Sequence, residues 1–360
     1  MQSDQNEHKQ PTSHDVARLA GVSRATVSMV LNEKTGVSIS EATREKVLEA
    51  ARELNYRPNR AGRMLVRGDT ETIGVVVTDP RLLSVDGFVP MVLQAVIGKS
   101  QEFGYRVILD YVSEDHGRSY RDLVYARSID GLIVVNPGVD DQELMQLVES
   151  DFPVVLLGSI KHPKECSVNF STRRAVAQAV AHCVDLGCRR IAHIAFSSAE
   201  FVATRARLDA YRAALASHGL EYDSTLTAFG EFSAASGEKA AEMLLGGTTP
   251  APDAILAGND TIALGVLRTL TRRGIRVPED CVVIGFDDLP ISASLTPSLS
   301  SVRHDAVLQG EIAADLLIRQ VRRQPLHRRR IAVPTQLIVR ESSSRKKPSA
   351  PQEPAPGNIV

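Results

Sequence analysis

No apolar run in the chain approaches the roughly 18 residues that a membrane-spanning helix needs. Its four cysteines, Cys166, Cys183, Cys188 and Cys281, form no CxxC pair and are too sparse for a disulfide scaffold or a cysteine-rich zinc site, so they read as buried free thiols. The nine histidines are scattered without ligand spacing, and neither a metal nor a cofactor is assigned. There is no GxGxxG after a strand, no HExxH and no GxSxG. Gly98-Lys99-Ser100 looks like the end of a phosphate loop, but Leu93 stands where such a loop needs its first glycine. Asp287 and Asp288, adjacent acids after an expected strand, can serve as a catalytic pair or receive hydroxyls from a ligand. No nucleophile or cofactor signature accompanies them, so catalytic sites are assigned to none of the residues. The polar segment 1–15 carries no apolar stretch before a small-residue cleavage site, which leads to the expectation of a cytoplasmic protein.

What is present is an ordinary globular composition over 360 residues, 43% hydrophobic and 24% charged, enough for two or three domains. The net charge of -1 hides an asymmetry. Residues 9–67 hold eleven Lys or Arg against six Asp or Glu, a balance of +5, so the other 301 residues carry -6. A small basic unit ahead of a larger acidic one suits a polyanion-binding head on a sensor or catalytic body.

Residues 12–56 read as three short helices. Asp15 precedes Val16, Leu19 and Ala20, Gly21 ends the turn, and Ser23 is placed to cap a second helix. On that helix Val27, Val30 and Leu31 share one face, leaving Arg24, Ala25, Thr26, Ser28 and Met29 on the other. A third helix is expected from Ser40 to about Asn55. Two helices joined by a glycine turn, the second with a polar face, fit the helix-turn-helix plan. From residue 72 β-branched runs alternate with helical stretches. Strands are expected at 73–77, 106–109, 131–135, 154–157, 190–195, 254–257 and 282–285, with helices at 89–103, 172–186, 204–218, 234–245 and 261–273. This βαβ rhythm predicts a doubly wound α/β core in two lobes with a cleft between strand ends. The Pro- and Ser-rich segment 344–360 is expected to be disordered, as is 1–11. The arginines between 319 and 330 read as a solvated linker rather than a second nucleic-acid site.

The motifs Asp15-Val16-Ala17-Arg18-Leu19-Ala20-Gly21-Val22-Ser23, Ala25-Thr26-Val27-Ser28 and Val30-Leu31-Asn32 come in order, followed by Asn55-Tyr56-Arg57-Pro58-Asn59. Together they resemble the headpiece of the lactose/galactose repressor family, and the resemblance runs to Arg340-Glu341-Ser342-Ser343. It implies an all-α helix-turn-helix headpiece at 12–57, a hinge helix at 58–68, and a two-lobed periplasmic-binding-protein-like core of two doubly wound parallel sheets at 69–343. Lobe 1 is then expected at about 69–168 and 301–328, and lobe 2 at about 169–300 and 329–343.

By the same resemblance Arg24, Ala25 and Met29 occupy base-reading positions, while Thr12, Ser23, Thr26, Ser28, Asn32, Tyr56 and Asn59 occupy positions that mostly hold phosphates. Arg60 joins this DNA-binding set, and Leu65 matches the leucine that wedges between base pairs. Met29 stands where arginine or histidine is frequent. Gly62 replaces the usual hinge alanine, costing about 1 kcal/mol of helix propensity. In the core the resemblance implies that Arg207, Asn259 and Asp287 hydrogen-bond an effector, Phe232 stacks on it, and His304 and Phe170 line the wall. The segment 78–88 departs from the family's Asn-Pro-Phe-Phe loop, with Asp79 and Phe88 as its expected contacts. The implied function is a ligand-responsive transcriptional regulator, a repressor binding a pseudo-palindromic operator as a homodimer and released by a small polar metabolite such as a sugar. A corepressor-dependent regulator with a purine-type ligand is the alternative, ahead of a solute-binding protein or an α/β enzyme.

Overall fold

A computed structural model describes residues 11–31, 39–56, 69–112, 119–126, 128–138, 141–199, 201–247 and 250–345. The chain divides into two compact units at Thr70. In the first, Thr12 and Asp15 start α1 (Ser13–Ala20): the Asp15 carboxylate accepts from the Thr12 amide at 3.0 Å and the Thr12 hydroxyl at 2.7 Å. Gly21 closes α1 in the left-handed region at φ 65°, a conformation glycine adopts without a Cβ penalty. The Ser23 hydroxyl then accepts from the Thr26 amide at 3.1 Å and starts α2 (Arg24–Leu31). Ser40 likewise caps α3 (Glu41–Glu53). Val16, Ala17, Val27, Val30, Val47, Ala50 and Ala51 form the shared core, with Tyr56 packed against it.

The second unit holds two six-stranded sheets. In the first, β1 (Thr72–Val77), β2 (Arg106–Tyr111), β3 (Gly131–Val135), β4 (Val154–Leu157), β5 (Ser167–Phe170) and β11 (Arg330–Val333) run parallel in the order β11-β5-β4-β3-β1-β2. The second comprises β6 (Ile191–Ala195), β7 (Thr227–Phe229), β8 (Ala254–Ala257), β9 (Val282–Asp287), β10 (Ser300–Arg303) and β12 (Gln336–Ile338). Its order is β12-β10-β9-β8-β6-β7, with only β12 antiparallel. Strands β1, β3, β4, β6 and β8 are buried along their whole length, as expected where helices cover both faces. The expected seven strands are all present, joined by five short ones of mixed polarity.

The sequence places 301–328 in lobe 1 and 329–343 in lobe 2, and the sheets divide the chain differently. β10 pairs with β9 in the second sheet, whereas β11 pairs with β5 in the first. The crossing therefore falls at His304-Asp305, where α12 (Ala306–Val321) leaves the second sheet to pack against α5 (Phe88–Glu102) and the first. Ser344 and Arg345, assigned to the tail, still belong to the fold, since Arg345 donates to the carbonyls of Leu186 and Glu279. Among the arginines of 319–330, Arg322, Arg329 and Arg330 donate to core carbonyls and Arg319 pairs with Asp315. No helix among the described residues is long and apolar enough to cross a membrane.

Candidate functional site

In the first unit the apolar residues of α2 face its neighbours, which turns the rest of the helix outward. Arg24, Ala25 and Ser28 are exposed and Met29 is half-buried. The Ser23 and Thr26 hydroxyls lie 2.9 Å apart and cap the helix, and the exposed Thr12 hydroxyl is engaged by Asp15. Tyr56, just after α3, is half-buried against the headpiece core, its amide held by the Ala51 carbonyl at 2.8 Å. Asn32, Asn59, Arg60 and Leu65 lie outside the described residues, as does the expected hinge helix.

In the second unit a cavity of about 240 Å³ is lined from both sheets. Phe88, Phe170, Arg207, Phe232, Asn259, Asp287 and His304 all face it, joined by Asp86, Asn136, Lys161, Asn169, Phe196, Phe201 and Gln309, which the sequence reading did not single out. Asp79 does not. Arg81 engages its carboxylate at 2.7 to 3.1 Å and Asp79 borders a separate recess with Glu231. Burial would raise the Asp79 carboxyl, but the Arg81 hydrogen bonds outweigh it and hold the acid below its ordinary value. The short helix α4 (Leu82–Val85) turns the chain so that Asp86, not Asp79, reaches the cavity.

Arg207 lies on α9 (Val202–Ser217) and is only 8% exposed. Its guanidinium carbon sits 3.7 Å from the ring centre of Phe286, 4.5 Å from Phe196 and 5.9 Å from Phe170. Desolvated cation–π contacts of this kind contribute about 2 kcal/mol. One Nη donates to the Gly258 carbonyl, while Nε is buried without a hydrogen-bond partner among the described residues. Gly258 is required there because a Cβ would fall 2.4 Å from the Phe196 amide nitrogen. Burial lowers Arg207 to about 10, opposed by the charges of Asp287 and Asp86. At neutral pH it stays cationic.

Asp287 ends β9 at φ 106° and Asp288 follows at φ 56° behind it; with Asn136 at 54°, Lys161 at 60° and Phe232 at 60°, Asp287 makes four non-glycine residues of the cavity wall in the left-handed half of backbone space. Such strain costs of order 1–3 kcal/mol per residue and persists only where packing enforces it. The two adjacent acids then point to different partners. The Asp288 carboxylate is bound by Arg303 at 2.6 Å and Arg340 at 2.7 Å, which answers its charge outside the cavity. Asp287 instead accepts from His304 Nε2 at 2.7 Å. Gln309 Nε2 lies 2.9 Å from His304 Nδ1, so the amide donates to that nitrogen and the proton resides on Nε2. Burial, then the Arg207 charge, pushes His304 well below its usual pKa, and the imidazole is neutral. Burial raises Asp287 to about 7 despite Arg207.

Asn259 caps α11 (Asp260–Arg272), accepting from the Ile262 amide at 2.7 Å and donating to the Phe232 carbonyl at 3.1 Å. One amide hydrogen remains for a ligand. The cavity thus combines aromatic walls with a few buried polar groups, the usual make-up of a small-molecule site. No group of three His, Cys, Asp or Glu among the described residues converges to hold a metal.

Residues 12–59 match the family described as bacterial regulatory proteins, lacI family, and residues 180–343 match the periplasmic binding protein-like domain. The chain is 34% identical over 342 residues to the HTH-type transcriptional regulator CelR of Thermobifida fusca, covering 93% of this chain and 98% of that one. A solved CelR–cellobiose complex superposes with a TM-score of 0.70 at 34% identity, covering 92% and 99%. The lac repressor dimer bound to operator and the anti-inducer ONPF superposes with a TM-score of 0.83 at 30% identity, covering 93% and 99%.

Proposed function

Because this chain belongs to the lacI family of bacterial regulatory proteins, we propose that it is a cytoplasmic repressor that binds a pseudo-palindromic operator as a homodimer and releases it on binding a small polar metabolite, a sugar in the first instance. The protein is a transcriptional regulator and not an enzyme. On the exposed face of α2, Arg24 can donate two N–H groups of its guanidinium to O6 and N7 of a guanine, and Ala25 and Met29 can touch a thymine methyl. Thr12, Ser23, Thr26, Ser28 and Tyr56, with Asn32, Asn59 and Arg60, supply phosphate contacts that set register, and Leu65 serves as the minor-groove wedge. Two such heads on one duplex reproduce the two-fold symmetry of a palindromic site.

The observation that carries the effector half is Arg207, a buried cation lining a cavity walled by phenylalanines. A hydroxyl-bearing ligand can accept a charge-assisted hydrogen bond from the guanidinium while its carbon face stacks on Phe232 or Phe88. Asn259, Asp287, Phe170 and His304 complete the contact set; Asp79 drops out of it. Since the cavity lies between the lobes, ligand binding favours one lobe arrangement, and any such preference is reciprocal with operator binding. Cellobiose, the ligand of the related CelR structure, is the first compound to try. The test is fluorescence anisotropy of the full chain on a library-selected palindromic DNA at fixed salt, titrated with cellobiose, glucose, ribose and hypoxanthine. DNA release by a sugar supports the proposal, tightening makes the system corepressor-dependent, and absence of sequence-specific DNA binding overturns it.

A further inference from the structure

From Arg319 to Arg330 the chain carries six arginines and no acid, although everything outside residues 9–67 balances at -6. The sequence alone makes this run a solvated linker, yet it is fastened to the fold. Arg322 donates to the Phe103 carbonyl at 2.9 Å, with its guanidinium carbon 5.2 Å from the Phe103 ring centre and 5.5 Å from that of Tyr105. Arg329 donates to the Lys164 carbonyl at 3.0 Å. Each of these bonds orients a guanidinium while using only part of its fork of donors. Arg322, Arg323, Arg328 and Arg329 are all exposed, and the side chains of Arg323 and Arg328 have no hydrogen bond or ion pair among the described residues. Arg323 follows the last turn of α12. Its amide donates to the Gln320 carbonyl at 2.9 Å and the Gln324 amide to the Arg319 carbonyl at 2.8 Å, the paired bonds that end a helix on a left-handed residue. At φ 53° it occupies a conformation that glycine adopts with less strain. An arginine there, with its head group in solvent, contributes charge rather than packing.

The place of this ridge follows from topology. The first sheet is parallel throughout, so all six strands start at one end, the end at which the chain arrives from the headpiece to begin β1. The loop 322–329 leads into β11 and lies at that same end, four strands from β1, or about 19 Å. Exposed Lys164, ahead of β5, shares a recess there with Arg329 and with one acid, Asp151. We propose that Arg322, Arg323, Arg328 and Arg329 form a second DNA contact, through which the core grips backbone phosphates of the DNA that the headpiece reads. This rests on the chain being a DNA-binding regulator and adds a surface that holds DNA without reading it. DNA presents a charge about every 1.7 Å of its axis and releases counterions when cations replace them, which suits a row of exposed guanidinium groups. A small anion would need enclosing groups that such an open ridge does not offer.

The test is fluorescence anisotropy of the full chain on a long duplex carrying the selected site, and on a scrambled duplex of equal length, from about 50 to 200 mM salt. Wild type is compared with the double variant Arg323→Gly, Arg328→Gln. Glycine suits the left-handed position, so the variant is expected to melt no lower than wild type. The proposal expects it to bind both duplexes more weakly by one common factor, about 10- to 100-fold at 0.1 M salt, and to flatten the slope of log affinity against log salt by about 2 to 4. Lysine at both positions keeps the charge and should restore most of that slope, which a merely structural role would not predict. Unchanged affinity and slope overturn the proposal and leave the ridge without a DNA role. A loss confined to the selected duplex also overturns it, because phosphate contacts carry no sequence. Failure of the regulator reading shows separately, as wild type binding the two duplexes equally.

Discussion

The proposed recognition face of α2 and the cavity of the two-lobed core solve opposite problems. On α2 the side chains proposed to meet DNA, Arg24, Ala25 and Ser28, are exposed, the backbone is ordinary helix, and the hydroxyls of Ser23 and Thr26 already satisfy each other. Removing one of them alters a surface and little else. In the cavity Arg207, Asp86 and Asp287 are buried, the acids are raised to about 7, and Asp287 sits at φ 106°. There groups proposed to hold the effector also bear on stability. A site that must leave charge incompletely answered until a ligand arrives is held by its scaffold at a cost, whereas a face that waits for DNA phosphates can rest fully solvated.

The largest effect expected from this contrast is at Arg207. Arg207→Ala strands Asp86 and Asp287 as buried acids without their cation, and breaking buried charge compensation typically costs about 3–5 kcal/mol. Urea denaturation at pH 8 should show the core transition moving down by that order; an unmoved midpoint would mean the cavity is wetter than its burial implies. Next comes pH. Asp86 has a folded-state pKa near 7, raised by burial and then by Asp287, against an ordinary 3.8. The acid form is therefore favoured in the fold, and its stabilising share is complete below about pH 4 and lost as pH rises through about 7. The stability gain of Asp86→Asn over wild type should grow from near nothing at pH 4 to a few kcal/mol at pH 8. Taking the difference cancels His193 and His304, whose burial-lowered pKa values pull the other way as pH falls. In the headpiece Asp15 has the opposite sign. Its carboxyl lies below the ordinary value because the Thr12 hydroxyl and amide donate to it, so its contribution is present above about pH 4 and lost on acidification.

Smaller effects should mark α2. Arg24→Ala is expected to weaken operator binding by about 1–3 kcal/mol, measured by anisotropy at fixed salt, with unchanged melting of the protein. A parallel loss of stability would show Arg24 to be structural and blur the contrast. Smallest is Ser23→Ala, which removes the α2 cap for about 1 kcal/mol in the headpiece alone, visible by amide hydrogen exchange in α2 while the core keeps its protection.

The same contrast governs how much could be read before the fold was known. Caps and turns act within a few residues, so Thr12, Gly21, Ser23 and Ser40 announce the three helices of the headpiece directly, and the buried strands announce themselves as continuous apolar runs. β5, β7, β10, β11 and β12 do not. Segments such as Ser300–Arg303 and Gln336–Ile338 are short and mixed in polarity, and their pairing partners lie far away in sequence. Missing them also displaced the lobe crossing to the wrong side of β10 and β11. The cavity was legible where the family resemblance fixes a position, as with Arg207 on its helix and Asn259 and Asp287 just after strands. It was not legible at Asp79 and Asp86, two acids seven positions apart in one unusual segment. Which of them faces inward is decided by the single turn of α4 and by Arg81, which takes Asp79 for itself.

If effector and operator act on one linked equilibrium, cellobiose affinity measured calorimetrically must differ between the full chain alone and the chain saturated with its selected operator. Linkage requires that operator weaken cellobiose binding by the same factor by which cellobiose weakens operator binding, expected at about 5- to 150-fold. Measurable cellobiose binding with identical affinity in the two states would contradict the account.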